Sequence, residues 1–335
     1  MRGGDRPPFP FQRETTLAFS NLQVGLGLGD QGRLDGDHDA FGTVLGRTRM
    51  KIGLIGTGLM GLPMALRLQT MGAEVIAWNR SPQPLASGQA AGIQVAGSVG
   101  EAIAQSEATI LMLSDAEALR SVLLEAPTAE KLGDRTLIQM GTIAPQESRD
   151  LEGAIARLGG TYLEAPVLGS IPQVESGTLQ IMVGSSPEQF QRWSPLLQLL
   201  GTPLHIGTVG SAAALKLALN QLIASLTAGF SQSLGFIEQQ GVSVDTFMTV
   251  LRGSALYAPT FDKKLDQMQT RLFDHPNFPT KHLLKDVRLF LHAAQSAGLR
   301  VDSLDGIRQL LEDACDQGLA ESDYSALFAT MNPQP

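Results

Sequence analysis

Residues 51–61 read K-I-G-L-I-G-T-G-L-M-G, an apolar strand-like run that ends in Gly56-Thr57-Gly58-Leu59-Met60-Gly61 and leads straight into an amphipathic stretch. The pattern G-x-G-x-x-G is weak alone, but between a strand and a helix each glycine acquires a task. Gly56 permits the tight turn, Gly58 lets backbone approach a pyrophosphate, and Gly61 lets the helix pack on the strand. The helix start then offers unpaired N–H groups and partial positive charge to the phosphates. The stretch predicts a dinucleotide site of Rossmann type, with Gly56, Gly58, Leu59, Met60 and Gly61 as cofactor-binding residues.

Outward from this loop the same alternation continues. A helix is expected near 59–71, then β-rich runs EVIAW, ATILML, RTLIQM and TYLEAP appear at spacings that leave room for helices between them. Such spacing means βαβ units, hence an α/β fold with a doubly wound parallel sheet. Near Gly207–Gly210 the alternation stops. Ser211 is the expected N-cap of a long helix running to about Gln240, with Gly241 as its stop, and everything beyond reads helical. The expected organisation is an NADP-binding Rossmann domain over 50–210 and an all-helical substrate and oligomerisation domain over 211–330. Residues 1–49, rich in Gly, Pro, Arg and Asp, show no period of 2 or 3.6 and read as a disordered extension. They are too acidic for a transit peptide, and Met50 is an alternative natural start.

The 335 residues carry a formal net charge of −8 and 43% apolar residues, with a mean hydropathy of +0.04. With no basic block, nucleic acid and anionic membrane are not expected partners, and a small molecule is. The single cysteine, Cys315, excludes an internal disulfide framework and suits a cytoplasmic location. The five histidines show no ligand spacing, so no metal is expected. The apolar run from Ala212 to Ile237 is interrupted by Lys216, Asn220, Gln221 and Gln232, which makes it a long buried helix rather than a membrane span. Its apolar surface exceeds what a small helical domain buries alone, so a homodimer or homotetramer is expected.

The second strand ends at Asn79-Arg80-Ser81, where an NAD-selective chain would place an acid against the ribose 2′-hydroxyl. No acid is there. Arg80 can pair with a 2′-phosphate and Asn79 and Ser81 can add hydrogen bonds, so NADPH is favoured over NADH; a solvated loop charge is the alternative for Arg80.

With these residues the chain resembles the β-hydroxyacid dehydrogenase family, which includes 3-hydroxyisobutyrate dehydrogenases, tartronate semialdehyde reductases and glyoxylate/succinic semialdehyde reductases. The resemblance covers about 50–325 and rests on four motifs in order: GTGLMG, the loop Glu164–Ser170 (EAPVLGS), Lys216 with Asn220, and Lys285-Asp286 in KHLLKDVRL. Lys216 and Asn220, four apart, share one helix face. A lysine ammonium there can stabilise and protonate the alkoxide formed as hydride reaches a carbonyl, and partial burial should lower its pKa. The resemblance gives both residues catalytic roles.

By the same resemblance Gly169 and Ser170 receive the substrate carboxylate, Thr142 borders substrate and cofactor, and Leu113 and Ser114 touch the nicotinamide side. Lys285 reaches the cofactor, while Phe278 and Asp286 line the substrate pocket; Phe278 is equally readable as a core aromatic. If their segment is helical, they lie about two turns apart. Two departures stand out: Leu168 occupies the position usually held by Ser, and Gly141 precedes Thr142 where Ser is common. Ser170 matches the glyoxylate/succinic semialdehyde reductases. The implied activity is NADPH-dependent reduction of a carboxylate-bearing aldehyde, glyoxylate or succinic semialdehyde, with Lys216 as proton donor. 3-Hydroxyisobutyrate or tartronate semialdehyde chemistry is the alternative. A catalytically silent NADP sensor would not need Lys216, Asn220 and Lys285 together, and Lys216 separates the chain from imine reductases, which share the architecture.

Overall fold

The computed structural model describes residues 50–333; the extension expected over 1–49 lies outside the described residues. The chain begins with β1 (Lys51–Ile55), α1 (Gly61–Thr70), β2 (Glu74–Trp78), α2 (Gln83–Ala90), β3 (Gln94–Val95), α3 (Val99–Ala104) and β4 (Ala108–Leu111). Then come α4 (Ala116–Leu123), β5 (Thr136–Gln139), α5 (Pro145–Arg157) and β6 (Thr161–Glu164). These six strands lie in the order β3-β2-β1-β4-β5-β6, all parallel. Every residue of β4 and β5 is buried, as expected of strands covered on both faces. One face packs Ile52, Leu54 and Ile110 against Met64 and Leu68 of α1; the other packs Ile55, Leu111 and Leu137 among Ile103, Leu119 and Leu151.

The sheet continues beyond the runs noted in the sequence, through β7 (Val167–Leu168), α6 (Ile171–Ser176), β8 (Leu179–Gly184), α7 (Pro187–Gln198) and β9 (Gly201–Gly207). Here the parallel rule breaks, because β8 runs antiparallel to both β6 and β7. The connection 169–178 is shorter than the dozen or more residues a parallel crossover needs, so the chain turns back on itself. β9 pairs parallel with β8 after the longer α7 excursion.

From here every regular element is helical, apart from one isolated bridge between Pro279 and Asp323: α8 (Ser211–Gln239), α9 (Val244–Arg252), α10 (Pro259–Thr270), α11 (Thr280–Ser296), α12 (Asp302–Ala314) and α13 (Leu327–Met331). α8 spans 29 residues, and its end follows expectation: Gly241 adopts φ +70, Val242 N–H donates to Ile237 O, and Gly241 N–H donates to Glu238 O, a Schellman arrangement. Its start does not. Gly210, with φ +97, is the N-cap, and Ser211 is already helical. The first amides bond instead to the carboxylate of Glu164, which outcompetes a neutral hydroxyl at the positive end of a helix.

α8 is also less buried than its composition suggests. Leu217, Ala224, Ala228 and Leu234 face the interior, with Ala224 and Ala228 packing in the cluster around Leu283, Val287 and Leu291. Leu222, Leu226 and Phe236, the last 64% exposed, run along the opposite side.

Candidate active site

A cleft of about 970 Å³ lies where the C-terminal ends of β1, β4 and β5 meet α8, α10 and α11. The ends of parallel strands are where open α/β sheets receive ligands. At one wall is the glycine loop. Gly56 has φ +95, and a Cβ on it would stand 2.3 Å from the Met112 carbonyl oxygen; a Cβ on Gly61 would stand 1.9 Å from Gly56 O. Gly58 differs, since nothing lies within 4 Å of where its Cβ would be and it faces the cleft. Gly56 and Gly61 serve the fold, and Gly58 leaves an open cradle before the N-terminus of α1. The residues present fit a dinucleotide pyrophosphate.

Asn79 has a role that the sequence reading missed. Its Oδ1 accepts from Thr57 N–H at 3.1 Å and its Nδ2 donates to Ser81 O at 2.9 Å, so both polar atoms staple the glycine loop to the end of β2. It lines the cleft, and the second Nδ2 hydrogen is not engaged by either of these bonds. Arg80 and Ser81 are exposed beside it, outside the cleft lining, and the Arg80 guanidinium has no hydrogen bond or ion pair among the described residues.

Lys216 and Asn220 project from α8 into the cleft. Burial pulls the Lys216 ammonium down to about 8 from the ordinary 10.5; Asp286 pulls the other way and Lys285 adds to the drop. No hydrogen bond or ion pair among the described residues engages it. Asn220 Nδ2 donates to Asp286 Oδ2 at 2.5 Å, leaving the buried Asn220 Oδ1 unpartnered among the described residues. Asp286 is 2% exposed, and its Oδ1 lies 3.0 Å from Lys285 Nζ. Lys285 Nζ also donates to Ser114 O at 2.8 Å and Thr142 O at 2.6 Å. One lysine thus ties α11 to the loops after β4 and β5.

Leu113, Ser114 and Thr142 all border the cleft. Ser114 Oγ donates to Asp115 Oδ2 at 2.7 Å, so Ser114 is spent on capping α4's entry, whereas the Thr142 hydroxyl is uncommitted. Gly141 stands where a larger residue would not fit, because its Cβ would be 2.6 Å from Leu113 O. Gly169 has φ +135 and Leu168 faces the cleft beside it. Ser170 Oγ donates to Gln173 Oε1 at 2.9 Å, so this hydroxyl is engaged within α6's first turn. Phe278 lines the cleft and also meets Tyr324 edge-on, with centroids 6.0 Å apart, so pocket and core readings hold together. It is not helical: Pro279 caps α11 in an extended conformation, and the residue before a proline is kept out of the helical region.

Sequence reasoning missed the contribution of α10 and the chain's end. Lys264, 7% exposed, pairs with buried Asp323 at 2.8 Å and lies 4.7 Å over the Tyr324 ring. His282, which also lines the cleft, is held below its ordinary value by burial and then by Lys285 and Lys281. A Lys–Asp pair separated by 59 positions leaves no local signal in sequence. Among the described residues no group of three or more His, Cys, Asp or Glu could hold a metal ion.

Comparison with known proteins agrees with this geometry. Residues 51–210 match the model for the NAD-binding domain of 6-phosphogluconate dehydrogenase, and residues 210–331 match the NAD-binding domain of NADP-dependent 3-hydroxyisobutyrate dehydrogenase. Glyoxylate/succinic semialdehyde reductase 1 of Arabidopsis thaliana is 31% identical, over 83% of this chain and 97% of that protein. The 2-hydroxy-3-oxopropionate reductase of Escherichia coli K12 is also 31% identical, over 84% and 97%. Among solved structures, Mycobacterium tuberculosis 3-hydroxyisobutyrate dehydrogenase with L-serine superposes with a TM-score of 0.77 at 23% identity, over 85% of this chain and 99% of that one, a likeness of fold.

Proposed function

The chain belongs to the 3-hydroxyisobutyrate dehydrogenase family of NAD(P)-dependent enzymes acting on CH–OH groups, and on that premise we propose that it reduces glyoxylate or succinic semialdehyde to the hydroxy acid with NADPH. The observation that carries this reading is Lys216, a half-buried lysine with a value near 8, no partner, and an Asn220–Asp286 pair beside it. When bound, the nicotinamide supplies the hydride.

The chain's own residues do the rest. The glycine loop and the start of α1 bind the pyrophosphate, and Arg80 takes the 2′-phosphate. Lys216 donates its proton from Nζ to the carbonyl oxygen as negative charge builds there, a role worth about a hundredfold or more in rate. Asn220 Oδ1, with no other partner, holds an N–H of Lys216 or the substrate hydroxyl. Gly169 offers close backbone approach to the carboxylate, while Ser170 joins only if it leaves Gln173.

The test is NADPH consumption with glyoxylate, succinic semialdehyde, tartronate semialdehyde and methylmalonate semialdehyde, repeated with NADH. Turnover of either of the first two with NADPH preferred supports the reading. Selective turnover of tartronate semialdehyde, the substrate class of the E. coli relative, replaces it, and bound NADPH without turnover of any refutes it. The open Leu222–Leu226–Phe236 side of α8 supports a homo-oligomer as the working state.

A further inference from the structure

Glu164 is buried to 1% exposure, closes β6 and opens the segment whose residues Val167 to Ser170 line the cleft. Its Oε1 accepts from the amides of Gly210, Ala212 and Ala213 at 2.7, 2.9 and 3.3 Å. Its Oε2 accepts from Ser148 Oγ at 2.5 Å, and that hydroxyl lies 2.9 Å from Tyr162 OH. Gly184 makes room, since a Cβ there would stand 2.3 Å from Oε1.

The first amides of a helix have no partner within it, and they are ordinarily served by the N-cap side chain. In α8 the N-cap is Gly210, which has none. The duty passes to a carboxylate 46 positions upstream, fixed on a sheet strand. Three amides converging on one oxygen set the height of the helix and its rotation, because successive amides point along the axis from positions about 100° apart around it. Ala212, Lys216 and Asn220 follow at intervals of four along one row of that helix.

We propose that Glu164 is the positioning residue for Lys216: by gripping the first turn of α8 from the substrate loop, it holds the ammonium at the place where the carbonyl oxygen is presented. This rests on Lys216 being the proton donor. Proton transfer tolerates little displacement, and about 1 Å costs on the order of a hundredfold. Shortening the side chain by one methylene withdraws the carboxylate by about 1.5 Å, which either breaks the cap or draws α8 with it.

The experiment is a double-mutant cycle on the full chain with succinic semialdehyde and NADPH, using E164D, K216A and the double variant, plus E164Q. E164D should lower kcat about tenfold to a hundredfold, with the KM for NADPH unchanged within about twofold. E164Q keeps an oxygen acceptor at full reach and should restore kcat to within about threefold of the parent. In the K216A background E164D should add almost nothing, since the group it positions is gone. Should E164D not fold, S148A removes the partner of Oε2, along with its contact to Tyr162 OH, while leaving the three amide bonds to Oε1, and should show the same kcat-specific loss in smaller measure.

Parental kcat in E164D, or in S148A where that variant stands in, overturns the proposal, as does a loss that repeats in full on K216A. Parental turnover in K216A alone is a different failure, since it removes Lys216 as proton donor and the positioning role with it.

Discussion

Replacing Lys216 with methionine should stabilise the protein while it destroys turnover. Methionine keeps nearly the same length and removes a buried cation. Burial holds the ammonium at about 8 in the folded chain against 10.5 for the free group, with Asp286 opposing and Lys285 reinforcing. Between those values the unfolded chain binds more protons than the folded one, so stability rises with pH across that window. Below about 8 the full penalty is present; above 10.5 it is gone. The gap corresponds to about 3 kcal/mol, and since one side of Lys216 faces cleft water, screening reduces the expected figure to about 2 kcal/mol. Urea unfolding, at one protein concentration, should therefore show K216M more stable than the parent by about 2 kcal/mol near pH 7. That advantage should shrink steadily as pH rises to 10.5. An advantage that does not change with pH, or a less stable K216M near neutrality, would refute the assignment of the penalty to Lys216.

Two further outcomes follow from the same site. Reduction needs Lys216 protonated, so kcat with NADPH should hold at neutral pH and fall about tenfold per pH unit above about 8, whereas a flat profile well past that point would separate Lys216 from the proton step. R80E should raise the KM for NADPH by about tenfold or more and leave that for NADH nearly unchanged, because only the 2′-phosphate meets the reversed charge; equal effects on both cofactors would remove Arg80 from that contact.

The first half of the fold was legible because strand and helix periods announce themselves locally. KIGLI, EVIAW and the buried β4 and β5 runs appear where the pattern puts them. The edge of the sheet was harder, since LQIMVG follows a connection too short for a crossover, and its direction is decided by chain length rather than by any residue. The start of α8 was misread for a related reason: Ser211 is a good cap by type, but Glu164, far away in sequence, occupies the amides first. In the site, Lys216, Asn220 and Asp286 border one cleft, while Asn79 and Ser170 also hold their own loops, which residue type alone does not reveal. Lys264 with Asp323 and Tyr324 had no sequence signal, because only the tertiary fold brings them together.

Lys285 reaches three oxygens on three segments, the carbonyls of Ser114 and Thr142 and the carboxylate of Asp286, and an ammonium has three N–H bonds to give. The two carbonyl contacts are hydrogen bonds, and the contact with Asp286 is an ion pair. A ligand that displaces either carbonyl from Lys285 removes one of the two bonds by which this side chain moors α11 to the sheet loops. A contact made at Lys285 is therefore felt by the seating of α11 as well as by the ligand.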